Sequence, residues 1–317
     1  MIKLRFRDFP GEKSYGHFIE LVEMATNDTI KLYQNPSAKV DLEITGPYGG
    51  NFDDYKTPFL KKLKRFGYAS FTSGKHLTKK NLATGVQPRK SAAKSIWYSG
   101  ENVAPPQGTW DGYLSFDTFL GNDVSVYLPL WYLTSTDLFK STTESYWGGP
   151  VPKVRELLTG RKLTTKKKKF VVAFIGKSYP LRLHAIEALS KIGRIDIFGE
   201  SARNVIKSPS KVAKNYKFIM CFENDLFPGY VTEKPIEAYS SGAIPLYWGH
   251  DALGYLNPKA MINLNEFTSI RKWTNHISRV MSDFNLYKRI YEQPILMKEP
   301  SLTPAINLLR KVLEVEL

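Results

Sequence analysis

Cysteine is almost absent from this 317-residue chain. The single thiol, Cys221, lies inside an apolar run, so neither an intrachain disulfide nor a thiolate metal cluster can form. A reducing, cytoplasmic compartment is the expected home. Long hydrophobic stretches are missing as well. No apolar run approaches the ~18 residues of a spanning helix, and the start, Met1 to Lys13, alternates charge with single apolar residues; neither a transmembrane anchor nor a signal peptide is expected. Heptads, collagen-like repeats and low-complexity tracts are lacking too, which excludes the fibrous classes. Acidic residues are the minority, 30 against 45 basic, and the net charge of +15 points to anionic partners: nucleic acid, a membrane surface or phosphorylated small molecules. The lysine runs at Lys61–Arg65, Lys75–Lys94 and Lys166–Lys169 have no interleaved Phe, Trp or Tyr, so they lack the stacking platforms of nucleic-acid binders and read as solvated faces. Peripheral membrane contact through these basic patches stays open.

What the chain does have is core-forming material: 42% hydrophobic residues, with 18 Tyr, 18 Phe and 6 Trp. Its length exceeds the ~250 to 300 residues at which one core usually stops growing, so two domains are expected. Strand-like Ile2–Phe6, helical His17–Ala25 and strand-like Val40–Thr45 set an α/β rhythm. Pro58 opens a helix pattern through Phe59, Leu60, Leu63 and Phe66, with Gly67 as its stop. Ser95–Ser99 reads as a strand running into Gly100, Glu101 and Asn102, a loop that carries a carboxylate. Between Gly148 and Lys169 the apolar pattern thins, which places a boundary there and divides the chain into residues 1–160 and 161–317.

Beyond the boundary the pattern becomes doubly wound. Strand Phe170–Ile175, a helix from Pro180 with Leu183, Ile186, Leu189 and Ile192 on one face and Gly193 at its end, and strand Arg194–Phe198 follow in one short stretch. Lys217–Phe222, a helix over Thr232–Ser241 and strand Ala243–Trp248 continue it. Ligands of such sheets bind beyond the carboxyl ends of the strands. Three loops lie there: Gly176–Pro180, leading to Arg182 in a first helical turn; Glu223–Tyr230, followed by Thr232, Glu233 and Lys234; and Gly249–Gly254. The first combines a helix N-terminus with a guanidinium, an anion site. Each element taken singly also fits surface chemistry: an exposed Arg, a helix cap with an exposed ion pair, an ordinary turn at Glu223 and Asn224.

Taken together, the string Phe222, Glu223, Asn224, a Gly-containing loop, Tyr230, Val231, Thr232, Glu233, Lys234, then Ala238, Gly242, Ile244, Pro245, Trp248 and Gly249 resembles the donor-binding signature of the α1,3-fucosyltransferases. The likeness extends through Arg182 and Asp196 to the segment around Glu101 and to Tyr127–Tyr132, and downstream to Asn257, Pro258 and Lys259. This resemblance implies a GT-B architecture: two Rossmann-like domains facing a cleft, with residues 1–160 holding the acceptor and 161–317 the GDP-fucose. It implies diphosphate contacts from Arg182 and Lys234, ribose contacts from Glu233, a donor site lined by Asn224 and Tyr230, and Glu101 as general base of an inverting transfer to a hydroxyl of a glycan, GlcNAc of an N-acetyllactosamine-type glycan first, in protein or other glycosylation.

No Asp-x-Asp triplet, the usual metal-holding pair of nucleotide-sugar transferases, occurs; Asp41-Leu42-Glu43 is the nearest and falls in a strand. The two cations would stand in for a required metal cofactor, with a divalent ion at most stimulatory. The N-terminal anchor, stem and disulfides of animal and plant relatives are missing, as are the C-terminal heptads of some bacterial ones, which points to a bacterial or viral origin. Other readings of the residues are a transferase for a different nucleotide sugar on the same scaffold, and a basic nucleic-acid-binding protein.

Overall fold

The structure, a computed structural model, describes residues 1–9, 15–48, 81–82, 87–101, 103–104, 110–117, 123–164 and 167–315. The helix expected from Pro58 to Phe66, the run Lys61–Arg65 and half of Lys75–Lys94 lie outside the described residues. Alternation of apolar runs with helical patterns forces parallel pairing, because each crossover helix returns the chain to the same end of the sheet. The first part supplies β1 (Ile2–Arg7), α1 (Tyr15–Thr26), β2 (Ile30–Leu32), β3 (Val40–Thr45), β4 (Asn81–Leu82), β5 (Ala92–Ser99), β6 (Val103–Ala104), β7 (Gly112–Ser115) and β8 (Ser125–Tyr127). β4 and β6 pair with each other; the other strands form one parallel sheet in the order β2-β1-β3-β5-β7-β8. Two short helices follow, α2 (Leu130–Thr134) and α3 (Val154–Thr159).

The second sheet takes β9 (Lys169–Phe174), β10 (Ile195–Phe198), β11 (Tyr216–Phe222), β12 (Ile244–Trp248) and β13 (Ile262–Asn263) in the order β10-β9-β11-β12-β13, again parallel throughout. Its helices are α4 (Pro180–Ser190), α5 (Pro209–Ala213), α6 (Lys234–Ser240), α7 (Ile270–Ser282) and α8 (Phe284–Tyr291). β11 is buried almost end to end, as a central strand covered on both faces must be. In each sheet the strand order reverses once, between β1 and β3 and between β9 and β11, and each reversal opens a crevice at the carboxyl end of the sheet. Among the described residues no helix is long and apolar enough to cross a membrane.

The last helix, α9 (Thr303–Leu313), returns to the first sheet. Ala305, Leu308, Leu309 and Val312, spaced i, i+3, i+4, i+7, are buried, Leu308 packs beside Gly112 of β7, and Arg310 donates to the Ala25 carbonyl. Chain order puts this helix in 161–317, but in space it covers the N-terminal sheet. Asp41-Leu42-Glu43 lies in β3 as expected, with Glu43 committed to Arg5 at 2.5 Å and to Arg7 at 3.4 Å.

One expected face is corrected. The inward residues of α4 are Leu181, Arg182, Ala185 and Leu189, while Leu183 is 51% exposed. Leu183 shares its i, i+3 spacing with Ile186 and Leu189, but the i, i+4, i+8 row of Leu181, Ala185 and Leu189 faces the sheet and carries Arg182 inward beside it. Leu189→Ala should therefore cost about 2–5 kcal/mol in denaturant unfolding, and Leu183→Ala less than about 0.5 kcal/mol. Equal effects would reverse the facing of α4.

Candidate active site

The reversal between β9 and β11 gathers the charged residues of the second sheet. Arg182 enters from the first turn of α4, whose Pro180 sits where a missing N–H costs nothing. Its guanidinium is held from three sides: Nη1 donates to the Lys177 carbonyl at 2.9 Å, and Nη2 donates to the Phe222 carbonyl at 2.8 Å and to Asn224 Oδ1 at 2.9 Å. Asn224 thus orients the arginine. Burial lowers the arginine pKa, with Glu223, Tyr179, Tyr230 and Glu233 opposing, and a guanidinium starts so high that it stays charged.

Glu223 ends β11 and is fully buried. Its carboxylate accepts from Thr232 N–H at 2.9 Å, Thr232 Oγ1 at 2.7 Å, Lys234 Nζ at 3.2 Å and Tyr247 OH at 3.3 Å. Lys234 also donates to Thr232 Oγ1 at 2.8 Å, and Glu233 stands 3.7 Å from the same amine. Burial opposes the charge on Lys234, but Glu223 and Glu233 outweigh it and raise the amine above the ordinary lysine value. Glu233 is itself raised, by burial first, with Lys234 pulling the other way. Gly249 must be glycine for space: a Cβ there would stand 2.1 Å from Tyr247 Oη and 2.9 Å from Glu223 Cγ. The third loop is drawn in by Asp251, which accepts from Leu253, Gly254 and Leu256 N–H.

Glu101 reaches this cluster from the other sheet. It follows β5 in a turn whose Ser99 hydroxyl donates to the Glu101 carbonyl at 2.7 Å, and its Oε2 accepts from Tyr230 OH at 3.2 Å. Tyr230 is fully buried, stacked edge-on against Phe116 of the first unit at 5.1 Å. It therefore bridges the two units. Tyr48 stands beside Glu101, and Tyr146 lies within the field of both Glu233 and Glu101; burial leads the rise in the Tyr48 pKa and Glu233 leads that of Tyr146, so both phenols stay protonated at neutral pH.

All six residues singled out from the sequence, Glu101, Arg182, Asn224, Tyr230, Glu233 and Lys234, fall in this one cluster. Asp196 does not: it binds Tyr216 OH, Lys169 and Arg194 at the outer strand β10. Sequence reasoning placed Glu223 in the signature string but gave it no role, although a carboxylate at the end of a buried strand was its signal, and it gave none to Tyr48, Tyr146 or Glu237. The arrangement presents two fixed cations and a helix N-terminus on one side of a cleft and a hydrogen-bonded carboxylate on the other, a geometry suited to a diphosphate leaving group and a proton acceptor.

Two parallel-sheet units meeting at their carboxyl ends define the GT-B class of α/β fold. A crystal structure described as α1,3-fucosyltransferase with GDP-fucose superposes over 100% of this chain and 91% of its own, with a TM-score of 0.67 at 21% identity, which establishes the fold. Residues 164–293 match the model of glycosyltransferase family 10 (fucosyltransferase), C-terminal part. The α-(1,3)-fucosyltransferase FucT of Helicobacter pylori is 26% identical over 292 residues, 84% of this chain and 54% of its own length. The 4-galactosyl-N-acetylglucosaminide 3-α-L-fucosyltransferase FUT6 of Gorilla gorilla gorilla is 24% identical over 210 residues, 63% of this chain and 54% of its own. The chain spans about half the length of these curated relatives. The resemblance to the α1,3-fucosyltransferase family thus holds in sequence and in fold.

Because the folded-state pKa of Glu233 is raised, protonation favours the fold: this contribution is present below the unfolded value, about 4.3, and is lost as pH rises through the folded one. Glu233→Gln should accordingly raise the melting temperature of the ligand-free protein at pH 7 to 8, with the gain shrinking towards pH 4. A lower melting temperature at pH 7 would contradict this assignment of cost to the buried charge.

Proposed function

We propose that the chain is an inverting α1,3-fucosyltransferase, moving L-fucose from GDP-β-L-fucose to a hydroxyl of a glycan acceptor, with GlcNAc of an N-acetyllactosamine-type glycan as the first candidate. The observation that carries this reading is the placement of Arg182 and Lys234 at one sheet's reversal point, facing Glu101 from the other. The similar crystal structure with GDP-fucose supports the donor, and the gorilla 4-galactosyl-N-acetylglucosaminide 3-α-L-fucosyltransferase supports an N-acetylglucosaminide acceptor.

Breaking the bond between fucose C1 and the phosphate oxygen leaves oxocarbenium character on the sugar and negative charge on GDP. Arg182 and Lys234 meet that charge without reorganising, because both are already fixed by Asn224, Phe222, Thr232 and Glu223. Glu233 accepts from the ribose hydroxyls. Glu101 takes the proton of the acceptor hydroxyl as that oxygen bonds to C1 from the face opposite GDP, so the configuration inverts. Tyr230 holds the Glu101 carboxylate towards the cleft. The two cations serve in place of a required metal, and residues 1–160 and 161–317 act as acceptor and donor domains.

GDP and GDP-fucose should raise the melting temperature far more than UDP or ADP, since a ligand that binds only the folded form stabilises it by mass action. Arg182→Ala and Lys234→Ala should each weaken GDP binding by about 1.5–3 kcal/mol, the worth of a charge-assisted contact. Equal shifts for all nucleotides in wild type and variants would sink the donor assignment. Glu101→Gln should keep GDP-fucose binding and lower kcat by about 10² to 10⁴. Turnover within twofold of wild type at saturating acceptor would remove Glu101 from the mechanism.

A further inference from the structure

The segment that crosses from the first sheet to the second carries a tyrosine whose placement nothing above explains. Tyr146 is 63% exposed, yet its neighbours Ser145 and Trp147 are 6% and 7% exposed. An exposed aromatic on a loop is ordinary; one on a turn fixed from beneath is not. The turn closes on itself through Ser145 N–H to the Gly149 carbonyl and Gly148 N–H to the Ser145 carbonyl, both 2.9 Å, with Gly148 at φ +69°. Trp147 packs on Phe174 of β9 at 5.0 Å, and Ser208 and Ser210 both donate to the Gly148 carbonyl.

Beneath the turn lies Glu237, one helical turn beyond Glu233 on α6 and buried. Oε1 accepts from Ser135 Oγ at 2.6 Å and Tyr146 N–H at 3.1 Å; Oε2 accepts from Ser145 Oγ at 3.0 Å and Trp147 N–H at 3.3 Å. Each oxygen therefore serves one hydroxyl and one backbone N–H. Only a carboxylate can do this: with an amide at 237, the NH₂ group would face a backbone donor in either orientation. The helix that bears the donor-site residues Glu233 and Lys234 thus fixes, through its next turn, where Tyr146 stands.

Tyr146 N–H is bound to Glu237, one turn of α6 from Glu233, the carboxylate proposed for the ribose, and the phenol stands in the fields of Glu233 and of Glu101, the proposed base. The space between those two is where the fucosyl group must sit. We propose that Tyr146 is a contact residue for the fucosyl moiety of the donor, and that Glu237 is the positioning residue that holds it there. This rests on the donor assignment above and extends it: the nucleotide would be read by α4 and α6, and the sugar by the crossing segment. A neutral phenol offers a sugar hydroxyl both a donor and an acceptor, and its ring a flat face for the C–H side of the pyranose.

Calorimetric titration of the full chain with GDP and with GDP-fucose tests this. Tyr146→Ala, an exposed substitution that spares the core, should weaken GDP-fucose binding up to about tenfold, the range of one neutral hydrogen bond, and leave GDP within twofold. Glu237→Gln should show the same selective loss, with a lower melting temperature. Should Glu237→Gln not fold, Tyr146→Ala and Tyr146→Phe still decide, the second retaining the ring and losing only the hydroxyl contribution. Unchanged binding of both ligands to Tyr146→Ala, or equal weakening of both, would overturn the proposal while leaving the donor assignment standing. Failure of the wild type to bind either ligand would overturn both.

Discussion

A carboxylate buried at the end of β11 organises the second sheet's side of the cleft. Glu223 pulls a backbone N–H, a hydroxyl, an ammonium and a phenol onto its two oxygens, and so fixes Thr232, Lys234 and Tyr247 at once. Removing such a charge from water costs several kcal/mol in real proteins, roughly, unless it is paired and its lone pairs are filled. Here they are filled. The same contact outweighs the burial that opposes charge on Lys234, whose side chain stays 21% exposed. Gly249 belongs to this arrangement because any side chain would push Tyr247 off the carboxylate.

Around that centre the molecule stores more charge than stability alone would select. Glu233 stands beside Glu223 with a raised pKa, and Arg182 is buried beside Tyr179 and Tyr230. A ligand carrying both hydroxyl donors and an anionic group would relieve the first with its hydroxyls and meet the second with its charge. The cross-cleft contacts serve a different end. Phe116 against Phe227 and Tyr230, and Tyr127 donating to the Gly229 carbonyl, hold the Glu223–Tyr230 loop against the first unit and aim Glu101 at it. The separation of the two sheets is set by side chains that also touch the candidate chemistry.

Much of the second sheet was legible in the sequence because its strands are continuous apolar runs and its helices begin at Pro180 and near Thr232 with Gly242 at φ +81° as a stop. The six candidate residues could be named because they fall just past strand ends, where side chains of a parallel sheet converge. Pattern reading failed where spacing is degenerate. Leu183, Ile186 and Leu189 satisfy helical periodicity as well as Leu181, Ala185 and Leu189, and only the sheet beneath decides between them. The short strands β7, β8 and β13, with two to four residues, carry too little pattern to be seen. Glu237 and Tyr146 were invisible for another reason: a carboxylate inside a helix and a tyrosine in a linker gain meaning only from the four hydrogen bonds between their segments. The return of α9 to the first sheet is a long-range contact of the same kind.

The most direct test is calorimetric titration of GDP and GMP, in chelator, into the wild type and Lys234→Met. If Glu223 holds Lys234 as a ready-made counter-charge for the diphosphate, the wild type binds GDP without metal and at least about tenfold more tightly than GMP, a difference of about 1.4 kcal/mol, and Lys234→Met erases most of that preference. GDP binding that vanishes in chelator and returns with Mn²⁺, or a preference for GDP that survives Lys234→Met unchanged, would contradict it.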